Sequence, residues 1–278
     1  MDISLFTFIV FAGSLVAGLL GALTGLGGGV VVVPLLTLVL GVDIRYAVGA
    51  SLVSVIATSS GAAAAYVREG FSNIRIGMFL EIATTLGALV GAYLATRLPT
   101  GAIGVIFGVV LLFSAYFSSR EHPQNTGEEL ADPLAHRLKL EGRFPGEHGE
   151  QEYRARRVPL GFGVMFGAGT LSGLLGIGSG AMKVLAMDQA MQLPFKVSTT
   201  TSNFMIGVTA AASAGIYLSR GFIDPGLAMP VMLGVLCGSL LGARILVKAH
   251  TRSIRIVFSL VIVALAIEMI LNSLKGHL

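Results

Sequence analysis

The sequence predicts an all-α, polytopic membrane protein built from two inverted repeats with broken or re-entrant helices. Three observations carry this prediction: an apolar composition, a series of apolar segments of bilayer length, and an internal repeat with a glycine-rich break in each half. Hydrophobic residues make up 54% of the 278 residues and charged residues 12%, whereas a soluble domain carries about 25% charged residues. A soluble fold of this size cannot bury so much apolar surface, so we expect the chain to be solvated by lipid.

This composition excludes a cytosolic enzyme, a secreted disulfide scaffold and a disordered regulator. Cys237 is the one cysteine, which rules out an intrachain disulfide and a multi-cysteine metal site, and we expect no metal and no cofactor. The net charge of +4 does not indicate nucleic-acid binding, because the excess positive charge lies mostly at the ends of apolar segments, where it orients membrane proteins.

Apolar segments predict the helices of each half. They lie at about 4–23, 30–41, 47–67, 73–97 and 101–118, and again at about 158–175, 181–193, 198–218, 223–247 and 253–272. Most reach the roughly 20 residues of a spanning helix. Segments 30–41 and 181–193 are too short, which predicts half-helices or re-entrant pieces. Runs such as VVVVPLLTLVL lack the alternation of membrane β-strands.

The two halves of the sequence are repeats. Without a gap, residue n of the first half matches residue n+151 of the second, so that Ser51 pairs with Ser202 and Gly87 with Gly238. The same register brings the glycines of GLGGG at 25–29 onto those of GIGSG at 176–180. We therefore divide the chain into a first membrane repeat (1–118), a hydrophilic linker (119–157) and a second membrane repeat (158–278).

The linker is the charged part of the chain, with seven positive and eight negative residues. Leu130, Leu134 and Leu138 recur at helical spacing, which suggests a short amphipathic helix at the membrane surface. Arg154 to Arg157 precede the next apolar segment, which predicts a cytoplasmic linker. The basic cluster at 248–255 predicts that the second half is inverted relative to the first, with both termini external.

The paired glycine runs are the first candidate functional feature. Five residues with three or four glycines do not hold a stable helix, and an unwound segment in a membrane is tolerated only inside protein or beside a wet cavity. Breaks at corresponding places of inverted halves indicate a transporter binding site, and the half-helix that follows directs free N–H groups at the break. The alternative is close helix packing by small residues.

Lys183 and Glu81 are charged residues inside apolar segments. Lys183 lies three residues after the second glycine run, where the helix dipole repels a cation. It therefore needs an anion, which is either a bound substrate or a carboxylate elsewhere in the bundle, unless the side chain reaches the cytoplasmic surface. Glu81 lies about two turns inside segment 73–97 and is a candidate for proton coupling, with an ion pair or an interfacial position as the alternatives.

A stripe of small polar residues completes the candidate site. Ser51, Ser54 and Thr58 share one helical face, and Ser202, Thr209 and Ser213 repeat that face beside Asn203. Their donors could replace the hydration shell of an oxyanion, whereas helix packing with hydrogen bonds inside the helix is the alternative. The candidate substrate-binding residues are Gly25, Gly27, Gly28, Gly29, Ser51, Ser54, Gly176, Gly178, Ser179, Gly180, Lys183, Ser202 and Asn203.

The runs GLLGALTGLGGGVVVVPLL at 18–36, AVGASL at 47–52 and SGLLGIGSGAM at 172–182 resemble the sulfite exporter TauE/SafE family, also called TSUP. The resemblance covers nearly the whole chain outside the linker. It implies an inner-membrane protein of two repeats that transports sulfur oxyanions, organosulfur anions or small carboxylates. The chain departs from the family pattern at Ser179, at Lys183 and at Leu185, which stands where a counterpart of Pro34 is expected.

The sequence thus predicts a secondary transporter of the bacterial inner membrane that exports a small anion, with sulfite or a sulfonate such as sulfoacetate as its substrate. Its partners are then the lipid bilayer and the small anion, without nucleic acid, and a homodimer is compatible with the sequence. The alternatives are a transporter of small carboxylates and a membrane accessory or scaffold subunit that transports nothing. We do not expect an enzyme, because the sequence offers no carboxylate pair, histidine cluster or nucleophile with a base.

Overall fold

The protein is an all-α fold in the computed structural model, which describes residues 3–24, 28–68, 72–118, 132–146, 149–246 and 251–276. Within these ranges the chain forms eleven α-helices, two π-helical segments and one two-stranded hairpin. The predicted all-α membrane fold is confirmed.

The first half contains five helices that follow the predicted apolar segments. They are α1 (Ile3–Thr24), α2 (Gly29–Pro34), which continues as a π-helical segment (Leu35–Val39), α3 (Ile44–Arg68), α4 (Ile74–Ala95) and α5 (Thr100–Ser118). Asn73 caps α4, because its side chain accepts a hydrogen bond from the N–H of Ile76 at 3.0 Å. The cap fixes where the chain enters the helix that carries Glu81.

The described part of the linker forms a short helix, α6 (Pro133–Arg137), and the hairpin β1 (Glu141–Gly146) and β2 (Gly149–Arg154). Leu134 and Leu138 are exposed, as the predicted surface helix requires, whereas Leu130 lies outside the described residues. The hairpin is not predicted by the sequence analysis, because a charged Pro/Gly-containing segment reads as a loop.

Tyr153 joins this hairpin to the membrane helices. Its hydroxyl accepts a hydrogen bond from the Asn73 side chain at 2.8 Å. Burial raises the pKa of the Tyr153 phenol above its ordinary value, and the hydrogen bond with Asn73 opposes part of that rise. The phenol is therefore neutral at physiological pH, and the hairpin rests on the start of α4 through an uncharged contact.

The second half repeats the order of the first. Its helices are α7 (Val158–Leu175), α8 (Gly180–Leu185), which continues as a π-helical segment (Ala186–Ala190), α9 (Phe195–Ser219), α10 (Pro225–Leu246) and α11 (Thr251–Leu274). A short helix followed by a π-helical segment thus occurs at the same place in both halves. The second π-helical segment follows Leu185 instead of a proline, so a proline is not required for this feature.

Four of the described helices are long and apolar enough to cross a membrane. The apolar stretches are Ser4–Gly21, Ile74–Ala95, Val158–Leu175 and Pro225–Gly242. Shorter apolar helical stretches occur at Gly29–Val39, Ile44–Ser59, Thr100–Tyr116 and Leu260–Leu274. Large apolar side chains such as Phe8, Met78 and Leu240 are exposed on the outer faces, as expected of a protein that lies in lipid.

Each half pairs with the other through corresponding helices. The N-terminal end of α3 lies beside the C-terminal end of α9, where Arg45 stacks on Phe222 at 5.6 Å. At the opposite ends of these helices the N–H of Asn73 donates to Thr201 at 3.1 Å. α3 and α9 are therefore antiparallel. Helices α5 and α11 also run antiparallel, because Gly101 packs near Ser273.

The short helices α2 and α8 run back toward the end of the molecule at which the preceding long helices, α1 and α7, begin. In the second half, the N–H of Arg156 before α7 donates to the carbonyl of Met191 after α8 at 3.0 Å, and its guanidinium donates to Gln192 at 2.7 Å. Both ends of the α7–α8 pair thus lie on the linker side of the molecule. This is the re-entrant geometry that the short segments predict.

Glycines set the distance between α4 and α7. Gly87 and Gly91 of α4 lie against the backbone of Phe166 and Thr170, and Gly169 and Gly173 of α7 lie against the backbone of α4. A β-carbon at these positions would overlap a carbonyl oxygen of the neighbouring helix. The same contact joins α1 to α10, where Gly238 lies on the backbone of Leu15. Small residues let helix backbones meet in membranes, where lipid supplies no hydrophobic drive for association.

We predict that Gly169→Ala destabilises the protein, because the added methyl group would overlap the Thr84 backbone. Overpacking of this kind costs about 1–3 kcal/mol, which thermal unfolding of the purified protein in detergent measures. Gly163→Ala on the same helix is the matched control, because a β-carbon there meets nothing within 4 Å. Equal melting temperatures for the two variants would contradict the packing role.

Candidate functional site

The two glycine-rich breaks meet between the middles of α3 and α9. A β-carbon on Gly29 would lie 2.6 Å from the Ser51 hydroxyl and 3.1 Å from the carbonyl oxygen of Gly176. Gly178 packs between Val55 of α3 and Ile206 of α9. The structure thus brings Gly28, Gly29 and the second glycine run together, as the repeat predicts, whereas Gly25 and Gly27 lie outside the described residues.

The second break has a backbone that requires glycine. Gly176 and Gly178 have φ angles of +67° and +70°, in the left-handed region that side chains other than glycine rarely adopt. Ser179 adopts φ +45° as a non-glycine residue, which stores local strain. The first break differs, since Gly28 has φ −66°. The two breaks therefore correspond in position but not in local conformation.

Side chains from the crossing helices bond the carbonyls at the second break. The Ser51 hydroxyl donates to the carbonyl of Gly176 at 2.8 Å, and the Ser202 hydroxyl donates to that of Gly180 at 3.2 Å. Tyr217 donates to the carbonyl of Leu174 at 3.2 Å. Ser51 and Ser202, which the repeat aligns, therefore both bond the second break. In this conformation their hydroxyl hydrogens are donated to backbone carbonyls and are not available to a ligand.

The other predicted hydroxyl and amide groups play more local roles. Ser54 is buried and donates to the carbonyl of Ser51 at 2.7 Å within its own helix, as the packing alternative describes. Asn203 is only half-buried and lies off the buried face that carries Ser202 and Thr209. The structure therefore does not bring Asn203 to the glycine runs.

A small pocket lies where the breaks meet. Its lining residues are Val30, Val110, Ser114, Ile177, Ser179, Gly180 and Met182, and its volume is about 10 Å³, which holds about one water molecule. The Ser179 hydroxyl is buried and has no hydrogen-bond partner among the described residues. The pocket thus has two serines in its otherwise apolar wall, and in this conformation it holds no more than about one water molecule.

Lys183 lies on α8, the short helix that also contributes Gly180 and Met182 to the pocket. Its side chain is fully buried and does not line the pocket. The ammonium donates to the Thr209 hydroxyl at 2.5 Å, and that hydroxyl donates to Oε1 of Glu81 at 2.7 Å. The Thr85 hydroxyl donates to the same carboxylate oxygen at 3.1 Å. Glu81 is therefore the carboxylate elsewhere in the bundle that a buried lysine needs.

We call Lys183, Thr209 and Glu81 the ionic bridge. It joins α8, α9 and α4 at one point. The bridge spans both halves and has no symmetry-related counterpart, because the n+151 register matches Lys183 to Val32 and Glu81 to Met232, and only Thr209 has a polar match, Thr58. Val32 is fully buried, so an apolar contact replaces the ammonium in the first half.

The sequence analysis does not identify Thr209 as a site residue, although it places Thr209 in the polar stripe. The available signal was its position seven residues after Ser202, which puts both on one face of α9. Thr209 links Lys183 to Glu81 only because α4 packs against α9 in a particular way. The spacing of residues along each helix does not predict that packing. Ser114 and Met182 of the pocket are missed for the same reason.

A family model described as sulfite exporter TauE/SafE matches residues 10–269. The chain is 28% identical to the probable membrane transporter protein YunE of Bacillus subtilis over 275 residues, which cover 95% of this chain and 97% of that protein. It is 26% identical to a probable membrane transporter protein of Xylella fastidiosa, with 98% of each chain covered. No solved structure matches the chain.

The matched residues extend from the first helix to the last and so cover both halves. The relatives share nearly their full length with this chain, so the likeness is that of the whole membrane fold. The chain belongs to the sulfite exporter TauE/SafE family.

Proposed function

We propose that this protein is a secondary transporter of the bacterial inner membrane that exports a small anion, with sulfite or an organosulfonate such as sulfoacetate as its substrate. The observation that carries the proposal is the junction of two broken helices at a small pocket, with a fully buried lysine on the helix that lines it. Broken helices that meet at mid-depth are the usual binding element of transporters with repeated halves.

The chemistry of the junction favours an anion. Ser179 offers a hydroxyl without a partner, and Lys183 supplies positive charge one turn along the same helix. A cation together with hydrogen-bond donors in a dry cavity selects an anion over a neutral solute. The substrate contacts proposed for Gly28, Gly29, Ser51 and Ser202 require that the pocket opens, because Ser51 and Ser202 now bond the protein backbone.

We also propose that the two repeats (1–118 and 158–278) are inverted in the membrane, with the linker in the cytoplasm. A two-fold axis that relates antiparallel partners, such as α3 with α9 and α5 with α11, lies across the helices and therefore in the membrane plane. The described linker residues lie at the end of the molecule that carries Asn73. Arg45 and Phe222 lie at the opposite end.

Two other functions are compatible with the same observations. A small carboxylate presents the same charge and acceptor oxygens as a sulfur oxyanion, so the pocket also suits a carboxylate transporter. A scaffold subunit would use the glycine runs only for packing. The position of Ser179 in the wall of the pocket, on the same segment as the fully buried Lys183, favours a transporter over a scaffold.

We predict that Lys183→Met lowers the affinity for the transported anion by about 1.5–3 kcal/mol, the worth of a charge-assisted hydrogen bond. Lys183→Arg should retain only part of the affinity for the anion, because it keeps the positive charge but its planar guanidinium fits a different geometry from a point charge. Calorimetry on purified protein with sulfite, thiosulfate and sulfoacetate measures the effect, and Lys275→Met, at an exposed lysine near the C-terminus, is the control. Unchanged affinity in Lys183→Met would remove Lys183 from anion recognition.

We predict that Gly178→Val abolishes flux in proteoliposomes while the protein still inserts. Valine is strained at φ +70°, and its β-carbon would lie 2.9 Å from the Ile206 side chain. Gly28→Val should act similarly through Val235, which a β-carbon there would approach to 2.6 Å. The control is Gly215→Val, because a β-carbon at that exposed position meets nothing within 4 Å. Wild-type flux in Gly178→Val would move the substrate site elsewhere.

We predict that the linker end of the molecule faces the cytoplasm. In a Cys237→Ala background, a cysteine at the exposed linker position Arg137 should resist an impermeant thiol reagent added to intact cells. A cysteine at Arg220, at the opposite end beyond α9, should react. The reversed labelling pattern would show that the proposed orientation is wrong.

A further inference from the structure

The Glu81 carboxylate is bonded on one oxygen only. Its Oε1 accepts hydrogen bonds from Thr209 and Thr85, whereas its buried Oε2 has no partner among the described residues. The residue is 8% exposed and lies in the middle of the contact between α4 and α9. Oε2 is therefore the atom of Glu81 that can take up a proton without the loss of an existing hydrogen bond.

Few other charges face this carboxylate. α4 packs against α7, which has no titratable side chain in its sequence, and against α9, where Lys196 is exposed at the first turn and Tyr217 is bonded to Leu174 near the last. Arg75 is exposed at the start of α4, and Asp188 is half-buried in the π-helical segment after α8. Lys183, held through Thr209, is thus the cation nearest to Glu81 in the described bonding network.

The two ions depend on each other. Removing one charge of a buried pair leaves the other uncompensated in a medium of low dielectric constant, which is strongly unfavourable. If Glu81 becomes neutral, the Lys183 ammonium needs another anion, and if another anion approaches Lys183, the Glu81 carboxylate becomes the unfavourable charge. The Glu81 proton and a bound anion therefore favour each other.

We propose that the transported anion and the Glu81 carboxylate alternate as the counter-ion of Lys183, so that one proton binds to Glu81 for each anion bound. The inference rests on the proposed transport of an anion at the neighbouring pocket. A proton from water joins Oε2 as the anion enters, which leaves a neutral carboxylic acid. When the anion leaves, the proton returns to water and the Glu81 carboxylate is again the counter-ion of Lys183.

This exchange moves one proton with each anion in the same direction, so export proceeds only where the outward gradient of the anion exceeds the inward gradient of protons. A singly charged anion then crosses without net charge, and the empty protein returns with Lys183 and Glu81 mutually neutralised. The coupling is mechanical as well as electrostatic, because α8 carries both the ionic bridge and the pocket residues Gly180 and Met182. A proton on Oε2 leaves the Thr209 hydrogen bond to Oε1 in place but removes the negative charge that attracts Lys183, so α8 is held to α4 less strongly when the pocket must open.

The test uses thiosulfate, whose charge is constant across the range, and purified full-length protein between about pH 5.5 and 8.5. We expect the affinity of wild-type protein to rise as the pH falls, by about tenfold per pH unit where one proton is linked to binding. Calorimetry in buffers of different ionisation enthalpy should show uptake of about one proton per anion. This measurement needs no variant.

Variants test whether Glu81, rather than another carboxylate, takes up the proton. Glu81→Gln imitates the protonated acid, so its affinity should match the low-pH wild-type value at every pH, with no proton uptake. The control is Glu268→Gln, which neutralises an exposed carboxyl on α11 and should retain the wild-type pH dependence. Thr209→Val keeps the side-chain shape, removes the bridging hydroxyl and should weaken the pH dependence.

The outcomes distinguish this inference from the proposed function. Thiosulfate binding that is independent of pH, with no proton uptake, would leave anion transport standing and overturn the exchange at Lys183. Proton uptake that persists in Glu81→Gln would also overturn it. Failure of thiosulfate, sulfite and sulfoacetate to bind wild-type protein at any pH would instead remove the proposed function on which the exchange rests.

Discussion

Every backbone group released at a helix break must find a partner inside the protein, because lipid offers none. The second break shows how this constraint shapes the molecule. Ser51 and Ser202 arrive from two different helices to bond its carbonyls, and Tyr217 bonds the last turn of α7. The crossing helices α3 and α9 therefore supply hydrogen-bond donors at the depth of the break. The pocket lies beside the same break.

Close backbone contact is the second requirement, and glycine meets it. The parallel pairs α1–α10 and α4–α7 approach until side chains no longer fit between them. These pairs each join one half to the other, so the repeats are interlocked rather than placed side by side. The re-entrant pairs end up enclosed, which allows a strained residue such as Ser179 to keep its left-handed conformation.

Much of this fold follows from the sequence by simple rules. Segment length and apolarity give the helices, and the n+151 register correctly implies that both halves carry a break. The contact between Lys183, Thr209 and Glu81 does not follow, because it depends on the packing angle of three helices. The hairpin at 141–154 is missed because its pairing joins polar strands with no apolar alternation. Ser51 and Ser202 are correctly placed at the breaks, but their bonds to backbone carbonyls are visible only in the fold.

The ionic bridge joins Glu81 of the first half to Lys183 and Thr209 of the second, and it has no symmetry-related copy, because Val32 and Met232 stand at the positions that match Lys183 and Glu81. Two identical halves related by a two-fold axis could exchange conformations without any change in energy, so the forms open to either side would be equally populated. A single buried ion pair without a symmetry-related copy removes this degeneracy. In the proposed inverted arrangement, three residues would thereby give the duplicated fold a preferred resting orientation that its architecture alone does not provide.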